Sequence, residues 1–262
     1  MNAEESALLA RLEPVARAVA ADWGLDLGQP FHATHSYVAP AGSGAVLKIV
    51  PAEDQESDHE AAALAFWNGD GAARLLRHDA HRKALLLERA IPGHDLSQVP
   101  EADALAAAIE TGRQLWREPL TGAPFRNVVG LSRQWLEAIA STEHEFLPYA
   151  KAALEGIELR RTTLVHGDFH HHNILRRGAG WAAIDPKPAL GEPEYDVGPF
   201  LWDPMGADPT RERTVYRLAA FAAAGLDRDR MRDWAIVRGT ILGLPVRAGQ
   251  ARPQLRVVGF LL

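Results

Sequence analysis

The feature that most limits the fold of this chain is a polar loop framed by two short apolar runs in its second half. The first run, residues 164–165, leads into His-Gly-Asp, and Asn173 follows Asp168 by five positions. The second run, residues 181–184, leads into Asp185. Short apolar runs bounded by turn residues predict β-strands. The pattern therefore predicts two strands that flank a loop, with Asp168 and Asn173 inside the loop and Asp185 at its exit.

These three side chains are of the types that phosphoryl transfer requires. One carboxylate orients the attacking hydroxyl and receives its proton, while an amide oxygen and a second carboxylate hold Mg²⁺ against the nucleotide phosphates. The catalytic loop of protein kinases has the same Asp-x-x-x-x-Asn spacing and a later metal-binding aspartate. Here Gly167 stands in place of the arginine of that signature, and Asp185-Pro-Lys stands where kinases have Asp-Phe-Gly.

The same loop has a simpler interpretation. Taken singly, Asp168 and Asn173 fit ordinary turn residues, because their short side chains bond to the local backbone. Asp185 and the two flanking strands favour catalysis when all of these features are considered together.

The four consecutive and near-consecutive histidines of the loop also suggest a zinc site. His166 and His170 have the four-residue spacing of a helical metal pair. Gly167 and the β-rich flanks argue against a helix there, and zinc requires a third protein ligand from elsewhere. We expect instead that His166 and His170 brace the loop by hydrogen bonds and that His171 and His172 are incidental.

Composition excludes several other classes of protein. Of the 262 residues, 47% are hydrophobic and 24% are charged, and none is cysteine, which excludes disulfides and cysteine-ligated metals. A net charge of −6 argues against a nucleic-acid binder, whose binding surface is normally basic. The N-terminus does not resemble a signal peptide, and no run approaches the ~18 apolar residues of a membrane span. We expect a cytoplasmic protein with neither nucleic-acid nor membrane partners.

The first part of the chain is rich in β patterns. Two β-rich runs, residues 34–39 and 45–50, are joined by a Pro- and Gly-rich segment that predicts a hairpin, and Lys48 lies inside the second run. An Ala-rich helix is predicted at residues 57–67. Two further strands are predicted near residues 75–76 and 85–88.

Beyond residue 90 the apolar spacing is mostly helical, with two exceptions. Residues 163–202 form a block that we predict to be non-helical, and residues 243–262, with two prolines and several arginines, show no helical pattern. We expect an α+β fold with a small β-rich N-terminal lobe at residues 1–90 and a larger helical C-terminal lobe at residues 91–262. The cleft between them would hold the site.

The motifs together resemble a known family. His-Gly-Asp-x-His-x-x-Asn-Ile-Leu, the short strand ending in Ile-Asp-Pro-Lys, and Gly-Glu-Pro-x-Tyr-Asp are similar to motifs of aminoglycoside phosphotransferases. More narrowly, they resemble the group of streptomycin 6-kinases and hydroxyurea-resistance kinases. The resemblance is most specific over residues 166–202 and extends more weakly over residues 36–234. It implies a bilobal fold like that of eukaryotic protein kinases, and ATP- and Mg²⁺-dependent phosphorylation of an antibiotic hydroxyl, with the 6-hydroxyl of streptomycin as the leading acceptor.

The resemblance also implies roles for individual residues. Asp168 would be the catalytic base, and Asn173 and Asp185 would be the Mg²⁺ ligands. Lys48 would pair with the nucleotide phosphates. Glu60, at the start of the next helix, would hold that lysine in place.

Three more nucleotide-binding positions follow from the resemblance. Glu88 and Ala90, in the stretch between the lobes, would meet adenine through backbone groups. Ser36, in a turn near residues 33–37, would offer its hydroxyl or backbone N–H to the phosphates.

Lys48 and Glu60 each have an alternative interpretation. A lysine in an apolar strand can be a partly exposed residue whose stem covers the surface. Glu60 can be the last position of a capping box that starts at Ser57, because Ser-x-x-Glu fits that pattern.

An acidic segment follows Asp185. We predict that Glu192, Glu194 and Asp203 bind a cationic substrate, since carboxylates match guanidinium groups bidentately. The alternative is a solvated, Pro-rich surface loop. For Asp196 a structural role is a separate alternative, in which its carboxylate accepts hydrogen bonds from the backbone of the catalytic loop. The expected partner is a small cationic antibiotic, and the expected state is a monomer.

Three further functions stay open. The atypical C-terminal segment suggests a non-catalytic relative that only binds nucleotide or ligand. Hydroxyurea is an alternative acceptor within the same group of kinases. A histidine-dependent metallohydrolase would contain bound zinc.

Overall fold

The computed structural model of the chain describes residues 3–55, 58–119, 121–204, 208–245 and 252–262. The helices are α1 (Ala3–Trp23), α2 (Glu60–Trp67), α3 (Glu101–Leu115), α4 (Val128–Ala138), α5 (Leu147–Glu155), α6 (Glu194–Trp202), α7 (Arg211–Ala223), α8 (Arg228–Gly243) and α9 (Pro253–Leu261). The strands are β1 (Tyr37–Ala41), β2 (Ala45–Ile49), β3 (Leu75–Asp79), β4 (Ala84–Glu88), β5 (Pro92–Asp95), β6 (Thr163–Val165), β7 (Ile174–Arg177), β8 (Gly180–Ala183) and β9 (Ala189–Gly191). The small N-terminal sheet and the helical remainder confirm the expected α+β class.

The N-terminal sheet places Lys48 at its centre. The strand order is β1-β2-β4-β3, and every neighbouring pair is antiparallel. Side chains alternate between the two faces of a strand. Leu47 and Ile49 accordingly pack with Val19 of α1 on one face of β2. Lys48, between them, points to the other face, towards α2.

Two small sheets lie among the helices of the C-terminal part. β6 pairs with β9, and β7 lies between β5 and β8. Ala183 of β8 bonds through its backbone to Gly71 and Ala73, which connects the N-terminal part to the strands around the polar loop. The boundary at residue 90 falls between β4 and β5, and the division into lobes there stays a prediction.

Helix α6 corrects the prediction that residues 163–202 are non-helical. The helix begins after Pro193, and all nine of its residues are buried. A helix that is buried all round has no polar face, so it lacks the periodicity by which helices are found in a sequence. Acidic residues in its first turn favour a helix N-terminus there.

Helix α9 corrects the prediction for the C-terminal segment. Pro253 occupies its first turn, where proline is tolerated because that N–H has no helical partner. Leu255, Val257 and Val258 are buried against α8 and its neighbours. The argument for a non-catalytic relative, which rested on a missing helix, loses its basis over these residues.

None of the helices in the described ranges combines the length and apolar character that a membrane span requires.

Candidate active site

The polar loop brings Asp168 and Asn173 into direct contact. β6 leads into His166, and a 3₁₀ turn at His171–Asn173 leads into β7. The amide Nδ2 of Asn173 donates to the backbone oxygen of Asp168 at 2.9 Å and to its carboxylate Oδ2 at 3.1 Å. The five-residue spacing therefore brings the two ends of the loop into contact. The two hydrogen bonds donated by Nδ2 orient the Asn173 side chain.

Asp185 lies beside the same loop. The N–H of Ile184 donates to the backbone oxygen of Asn173 at 2.9 Å, because β8 pairs with β7. Asp185 has a φ of +54°, a left-handed conformation that is uncommon for a residue other than glycine. Asp185 therefore follows a strand whose backbone contacts Asn173, and Asn173 in turn contacts Asp168 directly.

Lys48 joins this group from the N-terminal sheet. Its Nζ lies 2.7 Å from both carboxylate oxygens of Glu60 and 2.5 Å from Oδ1 of Asp185. The side chain of Lys48 is 6% exposed, so it is not the partly exposed strand residue of the alternative interpretation. Burial alone would lower the pKa of Lys48, but Asp185 and Glu60 outweigh burial and raise it. The lysine is charged in this site.

Glu60 begins α2 with its carboxylate fully buried against Lys48. The residue before it, His59, is the N-cap and makes no side-chain capping bond. Ser57, the first position of the alternative capping box, lies outside the described residues. The contact between Glu60 and Lys48 is the one that the resemblance implies.

Asp185 remains ionised despite its burial. Burial would raise the pKa of this carboxyl, whereas Lys48 and Lys187 hold it well below its usual range. Both lysines contact the same oxygen, Oδ1, at 2.5 and 3.1 Å. Its other oxygen, together with Oδ1 of Asn173, provides the hard oxygen donors that Mg²⁺ prefers.

These donors fit Mg²⁺ better than zinc. Mg²⁺ is commonly held by one or two protein ligands together with substrate phosphates. Within the described residues, no three His, Asp or Glu side chains form a group that could hold a metal ion.

The histidines of the loop have individual partners. His166 is fully buried; its Nε2 lies 3.0 Å from the backbone oxygen of Ile184, and its Nδ1 accepts from the N–H of Asp168. This confirms that His166 braces the loop. Burial lowers the pKa of His166, so the ring is neutral.

His170 bridges two carboxylates. Its Nε2 lies 3.4 Å from Oδ2 of Asp168, and its Nδ1 lies 3.5 Å from Oδ2 of Asp203. Burial would lower the pKa of His170, but the two aspartates raise it to about 10. Asp203 is itself buried and also contacts His171 at 3.3 Å. The predicted substrate residue Asp203 therefore lies one imidazole ring away from Asp168.

The prediction that His171 and His172 are incidental is wrong. His171 stacks on Phe200 of α6 with ring centroids 3.9 Å apart, besides its contact with Asp203. Nδ1 of His172 lies 2.8 Å from Oδ2 of Asp95 at the end of β5. Both rings thus connect the loop to neighbouring elements.

Glu192 and Glu194 do not line the cleft as predicted. Glu192 is 2% exposed and contacts Nε1 of Trp234 and the guanidinium of Arg230, both on α8. Glu194 is 5% exposed and accepts from the N–H of Asp227. Both carboxylates are bound inside the C-terminal part, since Glu194 begins the buried helix α6 and Glu192 lies two residues before it.

Asp196 anchors the loop from beneath, and this confirms its predicted structural role. Its carboxylate accepts from the N–H groups of His166 and Gly167, both at 2.8 Å, and from Nε1 of Trp116 at 2.9 Å. Arg238 of α8 donates to the backbone oxygen of Gly167 at 2.5 Å. Sequence reasoning missed Arg238; its one signal is a lone arginine in an apolar helical run, Trp-Ala-Ile-Val-Arg-Gly.

The predicted adenine and phosphate positions lie in the expected elements. Glu88 ends β4, and its carboxylate lies 3.3 Å from Nη1 of Arg177. Ala90 follows in the connection to β5, and Ser36 is buried in the bend before β1. Their contacts with a nucleotide stay predictions.

Solved structures share the fold. A choline/ethanolamine kinase family protein from Mesorhizobium loti superposes with a TM-score of 0.69 at 16% identity, covering 95% of this chain and 94% of that one. A thermostable mutant of an aminoglycoside phosphotransferase, in ternary complex with ADP and hygromycin B, gives a TM-score of 0.62 at 15% identity, with 95% and 96% covered. The fold is that of the protein-kinase-like phosphotransferases.

Sequence comparison narrows this class. A hydroxyurea phosphotransferase of Kitasatospora aureofaciens is 33% identical over 82% of this chain and 67% of its own length. A streptomycin 3''-kinase of Klebsiella pneumoniae is 31% identical over 78% of this chain and 81% of its own length. A streptomycin 6-kinase of Streptomyces glaucescens is 34% identical over 75% of this chain and 69% of its own length. The profile of the aminoglycoside/hydroxyurea antibiotic resistance kinases matches residues 25–247, and the chain belongs to this family of small-molecule kinases.

Proposed function

We propose that this protein transfers the γ-phosphoryl group of ATP, with Mg²⁺, to a hydroxyl of an aminoglycoside, with the 6-hydroxyl of streptomycin as the leading acceptor. The observation that supports the proposal best is the group formed by Lys48, Glu60, Asp168, Asn173 and Asp185. These side chains are of the types that phosphoryl transfer uses, and one chain supplies all five. We therefore also propose that the protein acts as a monomer. We further propose that it acts in the cytoplasm, where ATP is available.

Asp168 accepts the proton of the attacking hydroxyl. Burial would raise the pKa of this carboxyl, but the hydrogen bond and the charge of His170 lower it below its usual value. Asp168 is therefore ionised at neutral pH. The Nδ2 group of Asn173 donates to its Oδ2 at 3.1 Å and so holds one oxygen of the carboxylate in place.

Asn173 and Asp185 would hold Mg²⁺, through Oδ1 of the amide and through the carboxylate. The ion supplies neutralisation of the phosphate charge. Lys48, kept charged by Asp185 and Glu60, would contact the phosphates from the N-terminal sheet. Positioning and charge neutralisation by these residues account for most of the rate in this type of reaction.

A cationic acceptor fits the overall charge of the protein, because a net charge of −6 attracts cations in general. Two relatives named as streptomycin kinases support this acceptor class. Hydroxyurea is the second candidate, supported by the relative named hydroxyurea phosphotransferase.

The test is a panel of acceptors with Mg²⁺ and ATP. Purified protein is incubated with streptomycin, other aminoglycosides and hydroxyurea, and each product is located by ³¹P and ¹H NMR. We expect a streptomycin phosphate ester at the 6-position. A phosphate on another aminoglycoside hydroxyl would support the class of substrate and correct the acceptor hydroxyl. The absence of product with every compound would contradict the proposal.

A further inference from the structure

The peptide group that joins Gly167 to Asp168 is held on both sides. Its carbonyl oxygen accepts from Nη2 of Arg238 at 2.5 Å. Its N–H, that of Asp168, donates to Nδ1 of His166 at 3.3 Å. Because a peptide group is planar, fixing its oxygen and its N–H fixes the plane from which the Asp168 side chain leaves the backbone.

Gly167 itself has no freedom to compensate for a shift of this peptide. Its φ is +82°, and a Cβ at this position would lie 1.9 Å from the backbone oxygen of Lys187. Its own N–H is bound by Asp196. A change in the carbonyl contact therefore passes to Asp168 rather than being absorbed at Gly167.

Arg238 differs from the other buried arginines of the described chain. Arg217 is paired with Glu101 at 2.5 Å and Arg230 with Glu192 at 2.9 Å. None of the ion pairs found among the described residues includes Arg238, although it is only 6% exposed. Its remaining contacts are to Tyr195, with Nη1 donating to the backbone oxygen at 3.3 Å and the guanidinium 4.2 Å from the ring centre.

A buried guanidinium without a paired carboxylate is costly, and a hydrophobic residue would satisfy packing alone. The position of the guanidinium gives a reason for its burial, since it binds the carbonyl oxygen of the residue that precedes Asp168.

We propose that Arg238 is a positioning residue for phosphoryl transfer, which holds the Gly167 carbonyl and so sets the direction of the Asp168 carboxylate. This inference rests on the proposed function. Arg238 acts on the reaction only through the direction of Asp168. Its loss therefore slows the chemical step and leaves nucleotide binding in place.

The experiment compares Arg238→Met and Arg238→Lys with two controls. Arg230→Lys alters another buried arginine of the same helix, and Leu255→Ala lowers stability from α9 without touching the loop. We expect Arg238→Met to lower kcat about 100-fold, the size of effect that a misplaced catalytic group produces, with the nucleotide KM unchanged. Arg238→Lys keeps the charge but offers no fork for two carbonyls, and it recovers about tenfold of that loss. The controls keep kcat near the wild-type value.

The second readout does not require an acceptor. In ¹H–¹⁵N spectra, Arg238→Met and Arg238→Lys shift the amide resonances of Gly167 and Asp168, and those amides exchange faster with solvent than in the controls. If Arg238→Met does not fold, the comparison of Arg238→Lys with Arg230→Lys tests the role of Arg238. Equal kcat values and unmoved Gly167 and Asp168 amides in that comparison overturn the inference. If wild-type protein phosphorylates no acceptor, the proposed function fails, and the amide spectra still test the role of Arg238.

Discussion

Lys48 is the most constrained single residue of the site. It is buried in a strand and has three carboxylate oxygens within 2.7 Å, from Glu60 and Asp185. Coulombic attraction inside a protein offsets the cost of burying such charges only while both signs are present. Removing the lysine therefore leaves a fully buried carboxylate without its partner.

We expect Lys48→Met to lower the free energy of unfolding by about 3–5 kcal/mol, the usual effect of breaking a buried ion pair. The double variant Lys48→Met/Glu60→Gln removes the stranded charge and regains part of that loss. Urea unfolding of the three proteins measures both effects. Equal stability of wild type and Lys48→Met would show that the pair is not formed in solution.

Asp203 provides a dependence of stability on pH. The histidines His170 and His171 outweigh burial and hold the pKa of Asp203 well below its ordinary value. A carboxyl whose pKa is lower in the folded protein contributes stability above its unfolded pKa of about 3.9, and that stability is lost as the pH falls.

The wild type should accordingly be more stable than Asp203→Asn at pH 7. The difference between the two free energies of unfolding should narrow as the pH falls below about 4, because protonation then removes the contribution of Asp203. Urea titrations between pH 3 and pH 7 measure it. A difference that stays constant over this range would be incompatible with the ion pairs at Asp203.

The elements differ in how well the sequence predicts them. The hairpin of β1 and β2, the strand with Lys48 and the Asp168–Asn173 loop are predictable, because alternation and turn residues act locally. Helix α6 is not, because its polar residues, such as Glu194 and Asp196, are buried by partners far away in sequence. Arg238 escapes prediction for the same reason, since its carbonyl partner lies 71 residues away.

Helix α9 depends on close approach to α8. A Cβ at Gly239 would lie 2.7 Å from Cγ2 of the buried Val258 and 3.2 Å from the backbone oxygen of Gln254. Gly130, in α4, has nothing within 4 Å of the same added atom.

Gly239→Ala should therefore lower the free energy of unfolding by about 1–3 kcal/mol through overpacking. Gly130→Ala is the matched control, and it should raise that free energy by up to about 1 kcal/mol because alanine favours a helix. Thermal or urea unfolding distinguishes the two. Stabilisation by both substitutions would mean that α9 does not pack on α8 as described.

At the scale of the whole molecule, the site depends on both parts of the chain being held together. Arg177 of β7 donates to the backbone oxygens of Gly69 and Ala72 and contacts Glu88, so it connects β7 of the C-terminal part to the segment after α2 and to the end of β4. Lys48 and Asp185 make a second connection across the same junction. A ligand that binds between the parts should stabilise both.

Mg²⁺ and ATP together should raise the unfolding midpoint, by the equivalent of about 2.7 kcal/mol at a ligand concentration 100 times Kd. ATP with EDTA should give a smaller increase, because the phosphate charges then face Asp185 and Asp168 without the ion. Asp185→Asn should remove most of the difference between the two conditions. Identical shifts with and without Mg²⁺ in the wild type would contradict the assignment of Asn173 and Asp185 as its ligands.

The most direct test of the site is single-turnover transfer from ATP by the wild type and Asp168→Ala, with nucleotide affinity measured by calorimetry on both. The site described here predicts that the variant binds Mg²⁺-ATP with a Kd close to the wild-type value. It also predicts that the variant transfers phosphate to streptomycin about 10²–10⁴-fold more slowly, the range expected for loss of a general base. An Asp168→Ala variant that phosphorylates the acceptor at the wild-type rate would contradict it.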